Sequence, residues 1–201
     1  MSQKKNLRWH AGEVSRQERC ERLGQRGLVV WMTGLSGSGK STIAVGVEKE
    51  LNALGHTVYR LDGDNIRHGL NADLGFSEED RAENIRRVAE VASLFQDAGL
   101  ITLVSFISPM RAMRSSARER IGPDAFFEVF VKADVDTCRQ RDTKGLYEKA
   151  VKGEIGDFTG VSAPYEEPDN PQLVVDTTRL SVEQSVAAVV QAVRPLIHKE
   201  S

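Results

Sequence analysis

The stretch Gly34-Leu35-Ser36-Gly37-Ser38-Gly39-Lys40-Ser41 fits the spacing GxxxxGK[ST]. These residue types in this order suit the binding of a polyphosphate. Glycines let backbone N–H groups turn inward and come close to phosphate oxygens. An apolar run precedes the loop and a helical pattern follows it. The loop therefore ends at a helix N-terminus, where open N–H groups and the helix dipole favour an anion. Lys40 can reach the β- and γ-phosphates, and the Ser41 hydroxyl, with Thr42 beside it, can ligate Mg2+. A chance Gly-rich turn is the bland alternative, and an eight-residue match at a strand–helix junction argues against it. Residues 34–42 and Lys40 in particular thus point to ATP or GTP. No NKxD-type base-specifying motif is present, which disfavours a GTPase.

A second constellation follows the next apolar run: Asp62-Gly63-Asp64-Asn65, then Arg67. In parallel sheets, ligands sit beyond the carboxyl ends of strands. Asp62 is the better catalytic candidate, and Asp64 reads equally well as an Asx-turn or helix cap. Arg81 and Asn84 lie near the apolar stripe Ile85, Val88, Ala89, Ala92 and Phe95, so they should point inward. An inward Arg needs an anion. A substrate phosphate would supply one, as would Glu78, Glu79 or Asp80. Phe76 and Phe158 stand in polar, Gly-containing surroundings and suit stacking on a base or plugging a local core. Phe106-Ile107-Ser108-Pro109 closes another strand at the ligand edge, with Ser108 either a pocket hydroxyl or an N-cap. Arg139, Arg141, Lys144, Lys149 and Lys152 form either a solvated basic face or a charge-neutralising cover over ATP.

The elements that must position these groups alternate. Strand-like runs at 28–33, 57–61, 100–107, 126–131 and 173–176 are separated by helical patterns at 40–54, 83–98, 111–120, from 135, and from 182 to near Pro195. This implies an α/β fold, a doubly wound parallel sheet of five strands. Residues 1–26 read as an arm, either solvated or docked on a partner through Trp9. Residues 27–201 read as one domain. Within it, residues 142–172 hold Pro164, Pro168 and Pro171 and fit no strand or helix, which suits a basic lid. The 201 residues, 40% hydrophobic and 28% charged with a formal net charge of −2, are ordinary for a soluble globular chain. The charge balance argues against a nucleic-acid or membrane-surface binder. The longest apolar stretch, around 100–107, is too short to span a bilayer. Cys20 and Cys138 form no metal spacing and suit a reducing, cytoplasmic compartment. Cys138 is expected to pack on a helix, and Cys20 to be an exposed free thiol.

The stretches GLSGSGKST, LDGDNIRHGLNADLGFSEEDRAENIRRVAEVA, FISPMRAMR, RDTKGLYEKAVKGEIGDFTG and PYEEP resemble the adenylylsulfate kinases (APS kinases). The resemblance spans residue 28 to about 177, and the DGDNIRHGLN block is more specific than the phosphate loop alone. It implies a P-loop NTPase-like kinase of the monofunctional bacterial type. Such an enzyme phosphorylates the 3′-hydroxyl of adenosine 5′-phosphosulfate (APS) with ATP and Mg2+ in sulfate assimilation. By this resemblance Gly34–Thr42 and Arg141 bind ATP. Asp62 orients or deprotonates the 3′-hydroxyl or holds the metal, if need be through water. Arg67, Arg81 and Asn84 grip the phosphosulfate, Phe76 and Phe158 sandwich the adenine, and Ile107, Ser108 and Lys144 line the same pocket. A phosphoserine role at Ser108 is described in the family; pocket lining is the simpler expectation. The resemblance also implies a homodimer. Ser162-Ala163 and Glu167 depart from the family pattern in the lid. Another small-molecule kinase, or a nucleotide-binding regulator without turnover, are the competing readings. The regulator should have lost Lys40, Asp62 or the Arg pair, and all are present.

Overall fold

The computed structural model describes residue 8 and residues 10–198. In chain order the elements are α1 (Arg16–Leu23), β1 (Leu28–Thr33), α2 (Lys40–Ala53), β2 (Val58–Asp62), α3 (Gly63–Ile66), α4 (Glu78–Asp97), β3 (Ile101–Ser105), α5 (Arg111–Ile121), β4 (Phe126–Lys132), α6 (Val135–Gln140), α7 (Leu146–Val151), β5 (Leu173–Asp176) and α8 (Val182–Ile197). All strand pairs are parallel, in the order β2-β3-β1-β4-β5. This is the expected doubly wound sheet. Crossover helices cover both faces, which explains why β1 is buried at every position and shows no polar alternation.

Successive side chains of β1 point to opposite faces. Leu28, Val30 and Met32 pack with Ile43, Ala44, Val47 and Leu51 of α2 and with the valine stripe of α8. Val29 and Trp31 pack on the other face with Ile85, Val88, Ala89 and Ala92 of α4, Ala117 and Ile121 of α5, and Phe106. A third, smaller cluster lies away from the sheet. It joins Leu35 of the phosphate loop to Cys138, Tyr147, Ala150 and Phe158.

The helix boundaries differ from the sequence expectation where local chemistry prevails over hydrophobic period. α4 begins at Glu78, five residues before the expected start, because Ser77 caps it by accepting from Asp80 N. α8 runs past Pro195 to Ile197: the proline lies in its last turn, and buried Val193 and Ile197 hold that turn to the core. β3 stops at Ser105 rather than Ile107. Within the stretch read as an arm, α1 carries a capping box between Ser15 and Glu18, and Arg19 pairs with Asp97 at 2.6 Å. Gln25 is buried, donating to Thr57 O and Gly99 O and accepting from Thr57 N. Cys20 is half-buried on α1 rather than exposed, and Cys138 is fully buried as expected. Trp9, the residue expected to dock on a partner, lies outside the described residues.

One buried ion pair ties three parts of the fold together. Arg114 of α5 meets Glu128 of β4 at 2.9 Å, with only 3% and 11% of the two side chains exposed. Arg114 also donates to Ser108 O and Glu166 O, both at 2.7 Å. Removing one partner of such a pair strands the other charge. Arg114→Met is therefore expected to cost about 3–5 kcal/mol of stability, measured as a shift of the urea or thermal unfolding midpoint.

Candidate active site

A single cleft of about 1060 Å3 runs along the carboxyl ends of the strands. That is the upper end of the range for one ligand-binding cavity, so there is room for two substrates. Its lining includes Ser36, Gly37, Gly39, Lys40, Ser41 and Thr42 at one end. At the other it includes Arg67, Phe76, Arg81, Asn84, Ile107, Ser108 and Phe158. Asp62, Asp64, Arg141 and Lys144 lie on its wall as well. Gly34 and Ser38 fall outside the lining and shape the loop from behind. Leu35 points into the third cluster.

The phosphate loop leaves β1 at Gly34, whose φ of 151° is at the limit of the left-handed range. A Cβ there would fall 2.3 Å from Val131 O. Gly37, at φ 79°, has Cys138 O where its Cβ would be, at 2.8 Å. Both positions need glycine for the backbone conformation and for the close approach. The first backbone bond into α2 runs from Ile43 N to Gly39 O at 2.9 Å, which leaves the N–H groups of the first helical turn to a ligand. Lys40 Nζ donates to Gly34 O at 2.9 Å and Leu35 O at 2.7 Å. Burial pushes its pKa down to about 8.

Asp62 ends β2 and caps α3, accepting from Asp64 N at 3.1 Å. Its other oxygen accepts from Ser105 Oγ at 2.8 Å, and Arg60 stands 3.4 Å away. Burial works to raise its pKa. Hydrogen bonds from Ser41, Ser105 and the Asp64 backbone, with the Arg60 charge, outweigh it and hold the carboxyl below the usual aspartate range. Ser41 Oγ and an ionised Asp62 thus meet at the junction of the two ends of the cleft. Hard oxygen donors in that number suit Mg2+, which keeps waters and takes the rest of its ligands from phosphates.

Elsewhere on the cleft wall, Arg67 lies over the Phe76 ring at 4.3 Å and donates to Leu74 O and Gly75 O, both at 3.0 Å. Phe76 is exposed and presents its ring to the cleft. Phe158 is buried edge-on to Tyr147, with ring centroids 4.9 Å apart. Asn84 is buried, and its Oδ1 accepts from Asn71 Nδ2 at 2.9 Å. What Asn84 has left for the cleft is its donor N–H groups, the right polarity for an anion.

Arg81 lines the cleft, as its inward placement requires. None of the acidic neighbours at 78–80 pairs with it. It donates to Phe76 O and to Thr159 Oγ1, both at 2.8 Å, and to Asp157 O. Backbone carbonyls and a hydroxyl thus satisfy a half-buried guanidinium, and they tie the start of α4 to residues 157–159.

Ser108 sits at φ 40°, an uncommon conformation for a non-glycine residue. It is buried. Its Oγ accepts from Trp31 Nε1 at 3.1 Å, while its carbonyl takes Arg114. Ile107 O accepts from Thr33 Oγ1 at 2.6 Å. These bonds peel the chain from β3 and end the strand early. Arg141 donates to Thr177 Oγ1 and O. Lys144 pairs with Asp64 across the mouth of the cleft, which raises its pKa.

The segment 142–172 is ordered by its own contacts. It contains α7 and a bridge between Thr159 and Ala163. Ser162, one of the departures from the family pattern, accepts from Phe158 N at 2.9 Å, and Glu167 O accepts from Arg111 Nε at 2.8 Å. The sequence reading did not single out Tyr147, Tyr165, Arg114 or Thr177. Tyr165 OH lies 3.0 Å from Thr33 Oγ1, and burial pushes its pKa up to about 12. Only the PYEEP and KGLYEKA stretches themselves marked these tyrosines.

A parallel five-stranded sheet, a phosphate loop between its first strand and helix, and a carboxylate after the second strand define a P-loop phosphotransferase. Residues 26–176 match the family model described as adenylylsulphate kinase. The chain belongs to that family, and it is an ATP-dependent kinase. An adenylyl-sulfate kinase of Geotalea uraniireducens is 55% identical over 188 residues, covering 94% of this chain and 90% of the relative. The Mycobacterium tuberculosis APS kinase, solved with AMPPNP and APS, superposes with a TM-score of 0.80 at 50% identity, covering 84% of this chain and 98% of that one. A hexameric APS kinase from Thiobacillus denitrificans superposes at TM-score 0.65 and 30% identity, covering 86% of this chain and 29% of that one.

The buried lysine leads to an expected pH dependence of nucleotide affinity. Lys40 must be protonated to pair with phosphate, and its pKa in the free enzyme is about 8. ATP affinity is therefore expected to be flat below that value and to weaken as pH rises through it. Isothermal titration between pH 7 and 9.5 checks this, and Lys40→Met should abolish the slope.

Proposed function

We propose that the chain transfers the γ-phosphoryl group of ATP to the 3′-hydroxyl of APS, giving ADP and 3′-phosphoadenosine 5′-phosphosulfate. One observation carries the reading. A single cleft places a phosphate loop opposite a wall of cationic, amide and aromatic side chains, with Asp62 between them. The triphosphate lies on the N–H groups of Gly37, Gly39 and the first turn of α2, with Lys40 released from Gly34 O and Leu35 O to follow the β- and γ-oxygens. Arg141 borders the nucleotide end.

At the acceptor end, Phe76 and Phe158 hold the adenine between them, and Ile107 and Ser108 form the pocket wall. Arg67 and the Asn84 amide face the phosphosulfate, with Lys144 at the mouth. Arg81 adds positive charge while tying residues 157–159 in place. In this reading residues 142–172 act as a lid and Ser108 is wall, not phosphoryl relay: its buried hydroxyl is engaged by Trp31.

Phosphoryl transfer needs positioning and charge neutralisation more than covalent chemistry. Asp62 is ionised and accepts a hydrogen bond from the attacking hydroxyl. In this reading its work is to orient that hydroxyl. Ser41 and Asp62 would hold Mg2+, which when bound neutralises charge on the transferring phosphate. The same reading places the enzyme in the cytoplasm, in sulfate assimilation, as a homodimer. Among the described residues, no helix is long and apolar enough to cross a membrane.

The decisive assay is ADP release from Mg-ATP with APS, AMP or adenosine as acceptor. Turnover confined to APS is expected; turnover with AMP or adenosine instead would replace the substrate. Asp62→Asn should lower kcat by about 10²-fold, the scale of a lost orienting contact. Phe76→Ala and Phe158→Ala should each weaken APS binding by about 1–3 kcal/mol, the range for base–aromatic stacking. Unchanged APS affinity in both variants would remove the sandwich.

A further inference from the structure

Two carbonyls of the phosphate loop are pinned from outside it. Tyr147 of α7 donates its hydroxyl to Ser36 O at 2.8 Å. Thr177, just after β5, donates to Ser38 O at 3.0 Å. These are alternate residues, and the consequence lies in the peptide plane. In a planar trans peptide the C=O and the following N–H point in opposite directions. A carbonyl drawn outward toward α7 turns the next N–H inward. Pinning Ser36 O thus aims Gly37 N–H, and pinning Ser38 O aims Gly39 N–H. Both glycines line the cleft. Among the described residues, neither N–H has an acceptor within the protein. Gly37 is exposed and Gly39 half-buried, so both N–H groups are open to a ligand entering the cleft.

The geometry points to Tyr147 as a positioning residue for the nucleotide phosphates, acting through the Ser36–Gly37 peptide. The proposal rests on the reading that this loop holds the phosphates of ATP. Tyr147 itself does not meet the phosphates: its hydroxyl is spent on Ser36 O, with the Cys138 thiol beside it. Its ring is buried and packs edge-on against Phe158. Asp142 holds its backbone, accepting from Tyr147 N at 2.8 Å. The residue therefore serves two ends of the cleft by two different parts, the ring toward the acceptor wall and the hydroxyl toward the phosphate loop. These parts can be removed separately.

Tyr147→Phe deletes only the hydroxyl. Titration calorimetry of the full chain should then show Mg-ADP binding weakened about fivefold to tenfold, the equivalent of one net hydrogen bond. Affinity for APS should stay within about twofold, because the ring is kept. Tyr147→Leu, which removes ring and hydroxyl, should weaken both ligands. Three results would overturn the inference. Tyr147→Phe could bind Mg-ADP as the parent does while Tyr147→Leu fails, leaving the ring as mere packing. Tyr147→Phe could lose Mg-ADP and APS in equal measure with a lowered unfolding midpoint, which is general loosening. Tyr147→Leu could bind both ligands as the parent does. Lys40→Met is the control for the underlying reading. If that variant binds Mg-ADP normally, the phosphate assignment of the loop fails, whatever Tyr147 does.

Discussion

The site depends on a few backbone N–H groups that must stay unpaired inside a folded protein and all point the same way. No carbonyl of the protein can be allowed to take them, although Gly37 is open to solvent. The fold meets this demand with a strand that cannot move. β1 is buried on both faces and flanked by β3 and β4. The loop leaving it is confined by Val131 O behind Gly34 and by Cys138 O behind Gly37. Lys40 fills the interior of the loop and satisfies two of its carbonyls. Burial lowers its pKa, and an anion brought into the loop would favour its charged form again.

The acceptor wall is built on a different principle. Its chain segments have irregular backbone and are held by side chains reaching in from the helices. Arg114 fixes Ser108 and Glu166, Arg81 fixes Phe76 and residues 157–159, and Arg67 fixes Leu74 and Gly75. In each case a guanidinium satisfies carbonyls that no strand or helix serves. Arg67 and Arg81, which sequence alone suggests for anion binding, thus also hold the loops of the cleft wall.

The phosphate loop, the parallel sheet and the two sheet cores were legible because each is a local pattern: a spacing, an apolar run or a helical stripe. Asp62 was legible by its place after a strand. What escaped were contacts between distant stretches. Nothing near Arg81 says that its partners lie at 157–159, and nothing near Arg114 foretells a buried pair with Glu128. The early start of α4 was missed because the apolar stripe begins later than the Ser77 cap. Likewise Pro195 was read as an end although a proline in the last turn leaves the buried face of α8 intact.

The third hydrophobic cluster sets Leu35, Cys138, Tyr147, Ala150 and Phe158 apart from the two cores that flank the sheet. That separation divides selection pressures. A substitution in a sheet core is felt first as lost folding, whatever its effect on catalysis. One in the third cluster acts on the packing behind the phosphate loop and Phe158 while most of the fold keeps its own support. Homologues can therefore diverge in turnover and substrate affinity through a handful of positions without approaching the edge of stability.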